Sequence, residues 1–260
     1  MSSRRVLVTG ASSGIGAAAA RLFAGEGYRV ALLARRRERL EALRAELASG
    51  EHGGHLALGC DLGEPAAVRA AFAELGEAFG GLELLVNNAG VGYRARVEEL
   101  EDGPLRSLVD TNLTGLLLSC REALPLLRKG RRAVVVNVSS VIGRRGLPTQ
   151  AAYAATKAAV CSIGESLRLE WAPEGIAVCT LNPGVTATGF FAAQPNPGGL
   201  PDPDLAGSDS AEAVARAILA LDRRPRPEVF LRWKWRWLGL LGLLWPGLAD
   251  RVVARRVGGV

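Results

Sequence analysis

The strongest constraint on this chain is the alternation of short aliphatic runs with stretches of helical apolar spacing. Residues 6–9 (VLVT), 30–33 (VALL), 82–87 (LELLVN), 133–138 (AVVVNV) and 176–181 (IAVCTL) read as strands. Between them the apolar residues fall at helical intervals: Ile15, Ala19, Leu22 and Phe23, then Leu40, Leu43 and Leu47, then Val68, Phe72, Leu75 and Phe79. Alternating strands and helices build right-handed crossover units on a parallel sheet. Weaker strands near 55–59 and 228–232 bring the expected number to about seven. The expected fold class is α/β, one doubly wound parallel sheet with helices on both faces.

The first run ends in TGASSGIG, with glycines at 10, 14 and 16, and a helix follows at once. Gly10 permits a tight turn, Gly14 lets backbone approach a diphosphate, and Gly16 allows close packing of the helix. The helix N-terminus favours anionic oxygens, so Gly10, Ser12, Ser13, Gly14, Ile15 and Gly16 are expected to hold a dinucleotide, as in a Rossmann fold. After the second strand, where a carboxylate would accept bonds from a free ribose 2′-hydroxyl, the chain has Ala34 followed by Arg35 and Arg36. Guanidiniums without a carboxylate suit a 2′-phosphate, which predicts NADP(H) over NAD(H); solvated charges at a helix start are the other reading.

Tyr153 and Lys157 stand four residues apart in AAYAATKA, with Ser140 thirteen positions upstream. On a helix the two share a face, so the ammonium can favour the phenolate. A free phenol titrates near ~10, and bringing it to neutrality needs about 4 kcal/mol, more than one lysine supplies.

The glycine turn, Asn87-Asn88-Ala89-Gly90, Asn112, Ser140, Tyr153 with Lys157, and Pro183-Gly184 occur in one order and spacing. Together they resemble the short-chain dehydrogenase/reductase family over roughly residues 4–222. The resemblance implies an NADP(H)-dependent oxidoreductase that interconverts a carbonyl and a secondary alcohol. Tyr153 would be the general acid/base, Ser140 would bind the substrate oxygen, and Asn112 would distort its helix and hold a water in a relay to the lysine, capping a helix break being the other reading of Asn112. Lys157 would bind the nicotinamide ribose and, with the positive charge of oxidised nicotinamide, lower the tyrosine pKa. Asn88, Ala89 and Gly90 would lie at the cofactor ribose and Asp61 with Leu62 at the adenine. Pro183, Gly184, Val185 and Thr188 would grip the carboxamide. A regulatory or scaffold protein on the same fold is the competing reading, weakened because all four of Asn112, Ser140, Tyr153 and Lys157 are present. Ser139 is read as structural and Asn87 as a strand end.

Residues 189–208 read as a lid whose Phe190 and Phe191 line an apolar substrate pocket, with Val141, Ile142, Leu147 and Gln150 shaping the same space. The expected partner is a small lipophilic carbonyl or alcohol. The family also implies a homodimer through the helices carrying Asn112 and Tyr153, with tetramer formation left open by an altered ending.

Residues 1–222 are assigned to the Rossmann-fold catalytic domain and 223–260 to an extension packed on it or continuing it. From Asp222 onward nine basic and three acidic residues account for the whole net charge of +6. A basic tail without a reading module argues against nucleic-acid binding. Its apolar run from Trp237 to Trp245 is too short to span a bilayer. Tryptophans beside Arg and Lys suit an interfacial anchor, while packing over the pocket or across a dimer is the favoured reading of the same residues. MSSRR leads straight into a strand without an apolar signal, which predicts a cytoplasmic protein with membrane association open. Four scattered cysteines read as reduced thiols. His52 and His55 read as solvated loop residues, so no metal is expected.

Overall fold

Every predicted apolar run becomes a strand in the computed structural model, which describes residues 4–47, 54–202 and 204–257. Strands β1 (Arg5–Thr9), β2 (Arg29–Ala34), β3 (Leu56–Gly59), β4 (Leu84–Asn87), β5 (Val134–Val138) and β6 (Ala177–Asn182) belong to the main sheet. A two-stranded ribbon, β7 (Thr186–Ala187) with β8 (Asp209–Ser210), interrupts the series before β9 (Glu228–Phe230) completes it. The main sheet has seven parallel strands in the order β3-β2-β1-β4-β5-β6-β9. The order reverses at β1, and the crevice at such a reversal is where ligands bind in open α/β sheets.

Helices α1 (Gly14–Gly25), α2 (Arg37–Leu47), α3 (Pro65–Phe79), α4 (Asp102–Val109), α5 (Gly115–Leu127), α6 (Ala151–Trp171) and α7 (Ala211–Arg223) connect the strands. The pleat divides the core in two. Val6, Val8, Val30 and Leu32 face one layer with Phe23 of α1 and Ile218 of α7, while Leu7, Ala31 and Leu33 face Phe72, Leu75, Leu116 and Val160 on α3, α5 and α6. Because both faces are covered, the strands read as nearly unbroken apolar runs instead of alternating ones.

The four cysteines are free and buried. His55 corrects the solvated-loop reading: it is buried, and its Nδ1 accepts the N–H of Val30 at 3.1 Å. The glycines beside it suggested a loop, yet β3 begins at the next residue and draws the ring against β2. His52 lies outside the described residues.

After β9 come α8 (Trp233–Leu244) and α9 (Pro246–Val257), which pack on each other. Arg145 bonds Asp250 of α9, and Arg232 bonds Asp209 at 2.8 Å. Among the described residues no helix is long and apolar enough to cross a membrane.

Candidate active site

The C-terminal ends of β1, β2, β4, β5 and β6 open into a cleft of about 1080 Å³. At its floor Gly10 and Gly14 adopt φ of +69° and +55°, in the left-handed region that glycine occupies without a Cβ penalty. A Cβ on Gly16 would stand 2.3 Å from the Gly10 carbonyl oxygen, so α1 can begin this close to the turn only with glycine there. No side chain caps the first amides of α1; the Ser13 hydroxyl instead accepts from Arg36 at 3.1 Å. Arg36 also donates to Ser12 at 2.9 Å, which holds its guanidinium over the turn. Arg35 lies 3.9 Å from Asp61, whose other oxygen accepts the Gly63 N–H.

The second half of the cleft is built by β4, β5 and α6. Asn88 fixes the turn after β4, donating through Nδ2 to the Thr9 carbonyl at 3.0 Å, while the Thr9 hydroxyl accepts from the amides of Asn88 and Ala89. Ser140 follows β5 and caps a short 3₁₀ turn, its oxygen accepting the Ile142 N–H at 3.4 Å. Tyr153 and Lys157 project from the first two turns of α6, the ammonium 5.8 Å from the centre of the phenol ring. Ser139 is buried and donates to the Lys157 carbonyl at 2.8 Å, a structural bond that ties β5 to α6.

Burial acts on both groups of the pair. It pushes the Tyr153 phenol above its ordinary value, and it lowers the Lys157 ammonium to about 8. Lys157 Nζ donates to the Val138 carbonyl at 3.0 Å. Burial is the cause that moves the Tyr153 phenol, and it acts upward, opposite to the downward pull expected of Lys157.

Asn112 sits in a five-residue π-helical turn, Asp110–Thr114, between α4 and α5. Its side chain is buried and pairs with both backbone groups of Val91, accepting the N–H at 2.8 Å and donating to the carbonyl at 2.9 Å. A third bond reaches the Thr156 hydroxyl at 3.1 Å. Asn112 thus joins α5, α6 and the 89–91 segment. A Cβ on Gly90 would meet its oxygen at 3.2 Å and Lys157 Nζ at 3.4 Å, so glycine lets the three converge.

Of the residues assigned to catalysis or to the cofactor, all line the cleft except Gly16 and Asn112, which shape it from behind. Val141, Ile142, Leu147 and Gln150 line it too. Phe190 packs 5.7 Å from the Tyr153 ring and 5.6 Å from Phe191, so an aromatic pair covers the phenol. Arg39 and Thr111 are among the further residues that line the cleft. Arg39 stands one helical turn beyond Arg36, a spacing legible in RRRER; Thr111 carries no comparable signal.

Comparison with known proteins agrees with this geometry. Residues 4–197 match the model of the short chain dehydrogenase family. An uncharacterized oxidoreductase of Mycobacterium tuberculosis is 36% identical over 244 residues, 93% of each chain. Among solved structures, an alcohol dehydrogenase from Thermococcus sibiricus in complex with 5-hydroxy-NADP superposes with a TM-score of 0.81 at 28% identity, covering 90% of this chain and 98% of that one. A 3-ketoacyl-(acyl-carrier-protein) reductase from Brucella melitensis in complex with NADH gives 0.75 at 28% identity, over 87% and 96%. With its seven-stranded parallel sheet and a cleft at the strand-order reversal, the chain belongs to the short-chain dehydrogenase/reductase family and is an NAD(P)-dependent oxidoreductase acting on CH–OH groups.

Proposed function

We propose that the protein is an NADP(H)-dependent reductase of a small lipophilic carbonyl compound, with Tyr153 as the proton donor. The observation that carries this reading is the convergence of Ser140, Tyr153 and Lys157 in the cleft that Arg36 overhangs from the glycine turn. The residues present fit a nicotinamide dinucleotide: uncapped helix amides for its diphosphate, a guanidinium beside two hydroxyls for a 2′-phosphate, and a glycine at 90 where a side chain would crowd Lys157. When bound, the cofactor supplies the hydride that reduces the carbonyl carbon.

The chain's own residues handle the oxygen. Negative charge grows there as the carbon is reduced, and the hydroxyls of Ser140 and Tyr153 are the donors that meet it. Tyr153 gives up its proton, so the alcohol leaves neutral and the phenolate remains beside the Lys157 ammonium. A phenol held protonated by burial suits this direction. Asn112 acts as a positioning residue, fixing the 89–91 segment against α6. The apolar lining from Ile142, Leu147, Phe190 and Phe191 favours a lipophilic substrate.

Arg36 gives the sharpest test of cofactor choice. Charge-assisted bonds of the kind a 2′-phosphate makes are worth about 1.5–3 kcal/mol each, or roughly 10- to 100-fold in binding. Arg36→Ala is expected to raise the Michaelis constant for NADPH by that factor and leave NADH nearly unchanged. Equal effects on both cofactors, or a wild-type preference for NADH, would overturn the NADP(H) assignment. A series of ketones of graded chain length, followed by NADPH absorbance, tests the substrate class; rates that fall with chain length would contradict it.

A further inference from the structure

Helix α8 is apolar apart from Lys234 and Arg236, yet its own protein leaves much of that apolar surface exposed. The inward face carries Trp235, Leu238, Gly239, Leu241 and Gly242, none of them fully exposed. A Cβ on Gly184 would stand 3.1 Å from the Trp235 indole nitrogen, and one on Gly239 would lie 3.3 Å from Cβ of Arg144. The helix therefore rests on the wall of the cleft and on the turn that follows Ser140. On its outward face Trp233, Trp237 and Leu243 are 75%, 61% and 78% exposed, with Leu240 and Leu244 beside them. Positions 233, 237, 240 and 244 form one stripe at helical spacing, and Trp245 and Leu248, past the helix end, are exposed as well. Between α8 and α9 runs an apolar groove of about 440 Å³ lined by Trp237, Leu241, Trp245 and Val252. An exposed apolar stripe of this extent calls for a covering surface.

The charges say which surface. Lys234 and Arg236 are exposed and flank the stripe on either side, and α8 contains no acidic residue. Arg251 and Arg255 add exposed cations on α9, where Asp250 is bonded to Arg145. A second copy docking through this face about a two-fold axis would set the cations against one another. An anionic lipid surface complements them, and tryptophans with a leucine stripe match the chemistry of the lipid headgroup boundary.

We propose that α8 lies flat in the interfacial layer of an anionic membrane, its Trp233-Trp237-Leu240-Leu244 stripe inserted and Lys234 and Arg236 at the headgroups. Because Trp235 on the opposite side touches Gly184, the lipid surface would stand about one helix diameter, ~10 Å, from the cleft wall. The test is flotation of the full chain with vesicles of phosphatidylcholine mixed with phosphatidylserine, against phosphatidylcholine alone. The chain is expected to float with the mixed vesicles, less so as salt is raised, and with a blue shift of its tryptophan emission. Lys234→Glu/Arg236→Glu should weaken the partition at least about tenfold. Trp237→Ser/Leu240→Ser should abolish it while the melting temperature is retained. No partition of the wild type, or equal partition into both vesicle types, would overturn the proposal. So would partition unaffected by both variants, or a lipid-free dimer that Trp237→Ser/Leu240→Ser converts to monomer without any vesicle binding.

Discussion

Desolvation shifts Tyr153 and Lys157 in opposite directions, and both shifts favour the neutral side chain. For Lys157 the consequence extends to stability. Below pH about 8 the folded and unfolded states both carry the ammonium, and the full cost of burying it is present. Between about 8 and the ordinary 10.5 the unfolded chain binds more protons, so the stability contribution of this residue rises with pH. The fall from 10.5 to about 8 corresponds to about 3 kcal/mol. Lys157→Met removes the titration and leaves other groups in place, so the variant's stability advantage over wild type should shrink by roughly 2–3 kcal/mol from pH 7 to 10. Denaturant titrations across that range check it; a pH-independent difference would contradict the burial argument. The identities of these residues were legible as a spaced pattern in the chain. Their protonation was not, because it depends on solvent exclusion by neighbours such as Phe190 that lie far away in sequence.

At the scale of elements, the site depends on where α6 sits against the turn after β5. Gly143 of that turn faces the Lys157 carbonyl, and a Cβ there would lie 2.6 Å from the carbonyl oxygen, which is backbone and cannot rotate away. Gly143→Ala should therefore displace the turn that begins at Ser140, and an ångström of misplacement can cost about 10²-fold in rate. The expected signature is a fall in kcat of at least about tenfold with the NADPH dissociation constant little changed, read by steady-state kinetics and fluorescence titration. Wild-type kcat in a folded variant would show that the two elements are not rigidly coupled. Such close contacts leave little trace in a single sequence: Gly143 reads as an ordinary loop glycine. The π-helical turn at Asp110–Thr114 was illegible from periodicity, since one wide turn barely perturbs the apolar spacing of α4 and α5; only the family resemblance implied a helix distortion at Asn112. The β7–β8 ribbon pairs two residues with two others across more than twenty positions, too short to carry a strand pattern.

Across the whole molecule, the parallel sheet was readable because burial on both faces makes each strand a continuous apolar run. The glycine turn was readable because its position between β1 and α1 requires backbone conformations and close approaches that other residues resist. The tail was only partly so. Its composition admitted both packing and an interfacial role; the fold turns Trp235 inward and leaves Trp233 and Trp237 exposed. The proposed function rests on the joint presence of a glycine turn, Tyr153 with Lys157 and an apolar cover within one cleft. The most direct test compares kcat/KM for NADPH-dependent reduction of a hydrophobic ketone by wild type and Tyr153→Phe. A loss of about 10²- to 10⁴-fold with unchanged NADPH binding is predicted; a variant that reduces the ketone at the wild-type rate would contradict the assignment of Tyr153 as the proton donor.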